Sequence, residues 1–282
     1  MAFAMSMGME YMNSLGMSLF EDVHQMRVAT RRLRASLQVV EGVYDPKLIR
    51  RYRRGLRQMA ESLGAVRDGD VFLEHVTAYY ATLPETDRAQ LDPLIATVSA
   101  ERAQAREHLL DDLRSKRYHK FKRHFATFLT TPDAGTLDSP EPGIVERVRD
   151  FAGSAIWRRY ELWRAYELAL PNAESQTLHQ ARIAGKRFRY TLEFFAEVLG
   201  SNVEQALTPL IALQENLGAI EDGVTARAHI GALGLADDPG TQDYLATREQ
   251  DHDALLAELP RLWEKVASAT YRRRLFEMIV KL

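Results

Sequence analysis

His24, Arg27, Arg31 and Arg34 stand three or four residues apart in VHQMRVATRRLRASL, residues 23–37. About 155 residues later, LHQARIAGKRFRYTL, residues 178–192, sets His179, Arg182, Lys186 and Arg189 at the same spacing. At roughly 100° per residue, each set falls within an arc of about 80° on an α-helix. Such a stripe of cationic or protonatable groups suits a ligand that carries several negative charges, because an arginine fork meets phosphate oxygens two at a time. It also has a cost: like charges at i,i+4 repel by a few tenths of a kcal/mol per pair. A single basic stripe is ordinarily a solvated face, or is matched by acids on a neighbouring helix. Here the basic positions recur while neighbouring ones differ, with Tyr190 for Ala35 and Glu193 for Gln38. That selective recurrence points to a shared anion site.

The elements that must hold these stripes are helices. Opposite the first stripe, Met26, Ala29, Leu33, Leu37 and Val40 share a face that would pack inward, with Arg32 (and Arg187 in the second copy) toward the flank. Apolar residues recur at three- and four-residue spacing along most of the chain, so the fold class is all-α. The pattern predicts helices over 9–20, 22–41, 45–63, 69–82, 86–114 and 116–130. TTPDAGTLDSPEPG, residues 130–143, interrupts with prolines and glycines and reads as a linker. Helices then resume over 144–168, 174–199, 202–217, 222–233, 239–258 and 261–281. The repeat extends beyond the stripe: ESLGAVRDGDV (61–71) resembles ENLGAIEDGVT (215–225), and KRYHKF (116–121) is faintly echoed by ATYRRR (269–274). Order and offset agree, so the chain reads as two copies of one helical unit, 1–130 and 144–282, joined by 131–143.

Composition bounds the functions available. The 282 residues carry a net charge of −2, so a polyanion would be recognised by local concentration of charge alone. Without cysteine there are no disulfides or thiolate metal sites, and no cofactor is expected. The Met-rich N-terminus has no basic residue before Arg27 and is interrupted by Glu10, which argues against a signal peptide. No run of 18 apolar residues suggests a membrane span, so a cytoplasmic location is the default expectation. The chain contains neither a phosphate-binding GxxxxGK[ST] loop nor HExxH. Asp68 and Asp70 form a DxD that could hold Mg²⁺, although a DGD beside a helix end is more often a cap, or Asp68 orients Arg67. A His24–His179 metal pair is disfavoured by the surrounding arginines. No catalytic or metal-ligating residue is therefore assigned.

HxxRVAxRRLR followed by LGxxRDxDV, with the pair repeated in the second half, resembles the CHAD domain, the conserved histidine α-helical domain. The resemblance covers nearly the whole chain. It implies two pseudo-symmetric helical bundles of four helices each, from an internal duplication, with basic residues lining a groove or cavity between them. The implied ligand is inorganic polyphosphate, or another linear polyanion, bound by His24, Arg27, Arg31, Arg34, His179, Arg182, Lys186 and Arg189. A non-catalytic binding protein, associated with polyphosphate granules, is the function so implied. The second copy departs from the pattern: Glu221 stands where the first has Arg67. Helix 45–63 carries Lys47, Arg50, Arg51, Arg53, Arg54 and Arg57, whereas NVEQALTPLIALQENLG (202–218) has no basic residue. Arg50, Arg54 and Arg57 share a face and form a secondary set of ligand-binding candidates. Nucleic acid is disfavoured because aromatic residues do not interleave the first stripe, and Tyr190 and Phe188 beside the second read as packing. The alternatives are a metal-dependent phosphohydrolase using DGD and the histidines, and a helical protein whose basic groove receives an acidic partner.

Overall fold

Burial of one face per helix explains where the helices lie. The computed structural model describes residues 19–40, 42–137, 148–170 and 173–282. The chain divides into two units, Met1–Ile144 and Val145–Leu282. No strand occurs among the described residues beyond an isolated antiparallel bridge between Tyr44 and Thr136.

In the first unit the longer helices are α1 (Leu19–Val39), α2 (Pro46–Thr82), α3 (Asp92–Arg114) and α4 (Lys116–Thr130). Two short turns, Glu85–Arg88 and Ala89–Leu91, lead into α3. The expected inward face of α1 is the buried one: Met26, Ala29, Leu33, Leu37 and Val40 are all at most 9% exposed. Leu33 and Leu37 join Ile49, Tyr52, Leu56, Phe125 and Phe128 in one cluster, and Val23 and Met26 join Met59, Leu63, Val66 and Leu109 in another. Burying a side chain of this size stabilises by about 1.5–3 kcal/mol, which outweighs the repulsion along the basic stripe.

Helix α2 corrects the sequence reading. A break was expected between 63 and 69, yet α2 runs for 37 residues, about 55 Å, through Gly64 and Gly69. An interior glycine costs a helix only about 1 kcal/mol, and packing against α3 recovers it. A Cβ at Gly69 would come within 3.0 Å of Arg102 Cβ, so the absence of a side chain lets Arg102 of α3 lie against α2. The Arg102 Nε then donates to buried Asp70 at 2.6 Å. DGD is thus neither a helix end nor a cap. Its carboxylates diverge by about 200° around the helix, Asp70 inward and Asp68 exposed.

The first part of the expected linker belongs to the first unit. Asp45 N donates to Gly135 O at 2.8 Å, Leu137 N donates to Val43 O at 3.2 Å, and Ala134 packs on the α1–α2–α4 core. Residues 138–147 lie outside the described residues, as does the expected helix 9–20 up to residue 18.

The second unit contains α5 (Val148–Arg164), α6 (Ser175–Phe194), α7 (Val203–Ala232), α8 (Pro239–Ala267) and α9 (Ala269–Val280), with a one-turn helix Ala196–Leu199 after α6. Five longer helices are described here against four in the first unit. The expected segments 202–217 and 222–233 are one helix, α7, which passes Gly218 and Gly223 without a break. Pro260 likewise lies inside α8, and the break comes at Ser268. Its hydroxyl caps α9 by accepting from Tyr271 N at 3.1 Å, as Ser115 caps α4 by accepting from Tyr118 N at 3.1 Å. The core is aromatic: Trp163 packs on Trp263 at 4.5 Å between centroids, and Tyr160 on Tyr271 at 5.9 Å. Burial is relieved for these phenols by bonds from Tyr160 to Val266 O and from Tyr271 to Ala206 O.

Two glycines of α2 provide an opposed pair of tests. A Cβ at Gly64 would meet nothing within 4 Å, so Gly64→Ala should stabilise by about 0.5–1 kcal/mol through helix propensity and unfolded-state entropy. At Gly55 a Cβ would collide with the Phe121 ring, so Gly55→Ala should destabilise by about 1–3 kcal/mol through overpacking. Urea unfolding of both variants measures this. Equal shifts of one sign would refute the packing assigned to Phe121.

Candidate functional site

Because α1 buries its apolar face, its basic stripe is turned away from the core of the first unit. His24 and Arg34 are exposed, while Arg27 and Arg31 are partly buried. Helix α2 contributes further cations at the C-terminal end of the stripe. Burial holds Arg34 below the usual arginine range, Arg57 and then Arg53 add to the effect, and Glu61 opposes it. The shift records partial desolvation first and the neighbouring guanidiniums second, and not loss of charge, since arginine stays protonated. Glu61 accepts from Arg57 Nε at 2.9 Å, but both side chains are more than 60% exposed. An exposed pair of this kind contributes at most about 1 kcal/mol, so a phosphate can readily displace the carboxylate.

The secondary set read from the sequence is divided. Arg57 stands with Arg34, whereas Arg54 lines a cavity between α2 and α4, and Arg50 is exposed. Arg53 was outside that set and belongs with Arg34. A helical wheel of α2 alone could not show this, because it is the neighbouring α1 that makes the Arg53 side electropositive.

In the second unit α6 buries Leu178, Ala181, Gly185, Phe188 and Leu192, and so orients His179, Arg182, Lys186 and Arg189 as a stripe. Acids hold more of it. His179 Nδ1 donates to Glu221 Oε1 at 2.8 Å, the position that is Arg67 in the first copy. Arg189, 15% exposed, has its Nε 3.3 Å from Glu193 Oε1 and lies over the Tyr190 ring at 5.2 Å. Tyr190 and Phe188 are buried, as their reading as packing residues requires. Lys186 is partly buried.

Arg182 differs from its neighbours. A Cβ at Gly218 of α7 would lie 3.6 Å from Arg182 Nη2, so the guanidinium rests on bare glycine. Its buried Nε makes no hydrogen bond. A desolvated donor without a partner costs roughly 1–3 kcal/mol, or more on a charged group, and this cost falls when an anion accepts from it. The LGA segment thereby acquires a positional meaning in this unit: it makes room for a stripe arginine. Flank residue Arg187 stands apart from the stripe as expected and is grouped with Arg158 and Arg159 of α5. Burial and then Arg187 and Arg158 pull Arg159 below the usual arginine range. The two α5 residues were not legible as site neighbours because α5 has no described counterpart in the first copy.

What these surfaces can do chemically is accept several anionic oxygens along a helix face. Asp68 and Asp70, the DxD considered for Mg²⁺, cannot jointly face one ion, because Asp70 is turned into its bond with Arg102. No described helix is long and apolar enough to cross a membrane.

Comparison with known proteins places the fold. The chain is 26% identical over 237 residues to the uncharacterized protein Rv2226 of Mycobacterium tuberculosis, and equally to MT2285 from a second strain. Those alignments take in 79% of this chain but 42% of each relative, so the chain spans about two fifths of their length. Among solved structures, the CHAD domain from the plant Ricinus communis is similar with a TM-score of 0.65 and 24% identity, over 97% of this chain and 88% of that one. PptA from Streptomyces chartreusis matches with a TM-score of 0.64 and 19% identity, over 93% and 97%. At these identities the two structures establish the fold alone. The CHAD domain family model matches residues 17–231, which include both stripes and both LGA segments, and the chain belongs to the CHAD domain family.

Proposed function

We propose that the protein is a non-catalytic binder of linear polyanions, with inorganic polyphosphate as its principal ligand. The observation that carries this reading is the α1 stripe: His24, Arg27, Arg31 and Arg34 on a face turned from the core, extended by Arg53 and Arg57 of α2. Arg182 and Lys186 of α6 form a second contact surface, with His179 and Arg189 weaker members because Glu221 and Glu193 engage them. From His24 to Arg34 the stripe extends about 15 Å along the helix. A chain of phosphates can meet every cation of such a row, whereas pyrophosphate reaches only part of it. Nucleic acid shares the charge but would leave its bases without stacking partners, since the aromatic rings next to the stripes are buried. A cytoplasmic location, where the polymer accumulates in granules, is the setting that goes with this ligand.

Replacing Arg27, Arg31, Arg182 and Lys186 by alanine should reduce affinity for long polyphosphate at least about a hundredfold, since a hydrogen bond to a charged group is worth about 1.5–3 kcal/mol. Wild-type affinity should fall steeply with salt, and the variant's slope should be shallower because fewer counterions are released. Titration calorimetry at three salt concentrations measures both. Equal affinity and slope in the two proteins would exclude the stripes as the site. Shortening of the polymer by wild type with a divalent metal would establish a phosphohydrolase instead. Preferred binding of an acidic peptide would establish a protein-binding groove.

The carboxylate at 221 offers an independent test of sign. Glu221→Arg restores the residue of the first copy and removes the acid paired with His179. Affinity for polyphosphate should rise about five- to tenfold, equivalent to roughly 1 kcal/mol, and Glu221→Gln should give a smaller rise. A fall in both variants would show that the His179–Glu221 pair itself supports binding.

A further inference from the structure

The basic residues of α4 form no part of the stripe, yet they enclose a site of their own. Between α2 and α4 lies a cavity of about 230 Å³. Arg51 and Arg54 border it from α2, and Arg117, Lys120 and His124 from α4. Asp112 is the sole carboxylate in the lining, and it is already engaged by the Ser62 hydroxyl at 2.5 Å. Four permanent cations thus face one occupied acid. Arg51 donates to His124 Nδ1 at 3.1 Å, which leaves the imidazole an N–H at Nε2 to offer a ligand. Arg51, Arg54 and Arg117 are all exposed residues.

Apart from Gln58 and Ser115, the remainder of the lining is aromatic or apolar. Phe121 and Tyr118 are partly buried beside Gly55, whose missing side chain lets the Phe121 ring lie against α2. Burial raises the Tyr118 phenol above its usual range, so it remains a neutral donor and ring surface. A cationic rim over an aromatic wall recognises a phosphate group carried on an apolar ring. The volume lies just below the roughly 300–1,000 Å³ of pockets for drug-sized ligands, so the enclosed part suits a compact group such as one phosphate and one ring. Arg51 stands about 120–160° around α2 from Arg53 and Arg57, whereas Arg54 is only about 60° from Arg57, so Arg51 and the α4 cations set the cavity apart from the stripe while Arg54 borders both.

We infer that the α2–α4 cavity is a second anion site, selective for compact aromatic phosphomonoesters. It does not depend on the polyphosphate reading. Phenyl phosphate, inorganic phosphate and phenol are the probes, titrated into the full chain by calorimetry. Phenyl phosphate should bind at least tenfold more tightly than either fragment, because only it uses rim and wall together. The double variant Arg117→Glu/Lys120→Glu alters two exposed positions and should keep its helical content while losing at least tenfold in phenyl phosphate affinity. The variant lacking Arg27, Arg31, Arg182 and Lys186 should bind phenyl phosphate within twofold of wild type, even where polyphosphate binding is lost. Absence of phenyl phosphate binding to wild type, or its survival in the double glutamate variant, would overturn the inference. Loss in the stripe variant alone would assign the anion to the stripe.

Discussion

Burial of α1 against α2 is the constraint on which the proposed binding surface rests. Four basic groups within about 80° of a helix repel one another, and an isolated α1 would gain nothing by aligning them. The alignment persists because Leu33 and Leu37, at most 2% exposed, hold the opposite face in the core with Tyr52, Phe125 and Phe128. Apolar burial of several side chains amounts to many times the repulsion. The alignment of the stripe is therefore a by-product of core packing.

Glycine within the long helices performs a related task. In the first unit Gly69 lets Arg102 approach α2 and reach Asp70; in the second, a Cβ at Gly223 would lie 3.8 Å from Arg248 Nη2. In each unit an arginine of the following long helix lies over the glycine of the DG pair. Gly218 performs the same service for Arg182, a residue of the stripe itself. The loss in helix propensity is offset by close approach of a long cationic side chain, whose methylene stem packs while its head finds a carboxylate or remains available.

The two units put the same pattern to unequal electrostatic use. Around the first stripe the neighbouring α2 adds arginines, and Glu61, which opposes them at Arg34, is exposed. Around the second, Glu221 and Glu193 sit within hydrogen-bonding or ion-pair distance of His179 and Arg189. Desolvated attraction to a phosphate chain depends on net local charge, so the first unit is the stronger contributor to the proposed binding. The acids of the second stripe also lower the repulsion that it must bear without a ligand.

Much of the fold was legible in the residues themselves. Apolar spacing alone placed Met26, Ala29, Leu33, Leu37 and Val40 on one face of a helix, and the repeated His-Arg-Arg/Lys-Arg pattern marked the opposite one. That inference is local: it needs only the period of the helix, which any segment carries within itself. Helix ends were less legible. Breaks were expected over 64–68, 218–221 and 259–260, yet α2, α7 and α8 continue through them, because packing against neighbouring helices outweighs a penalty that sequence propensity can only register as a cost. Only the tertiary structure decided which cations share a field. Arg53 with Arg34, Arg54 with Arg117 and Lys120, and Glu221 with His179 are neighbours across tens of residues of chain. Coulomb interactions act through space, so the sign and strength of each site depend on helix packing that no single segment encodes.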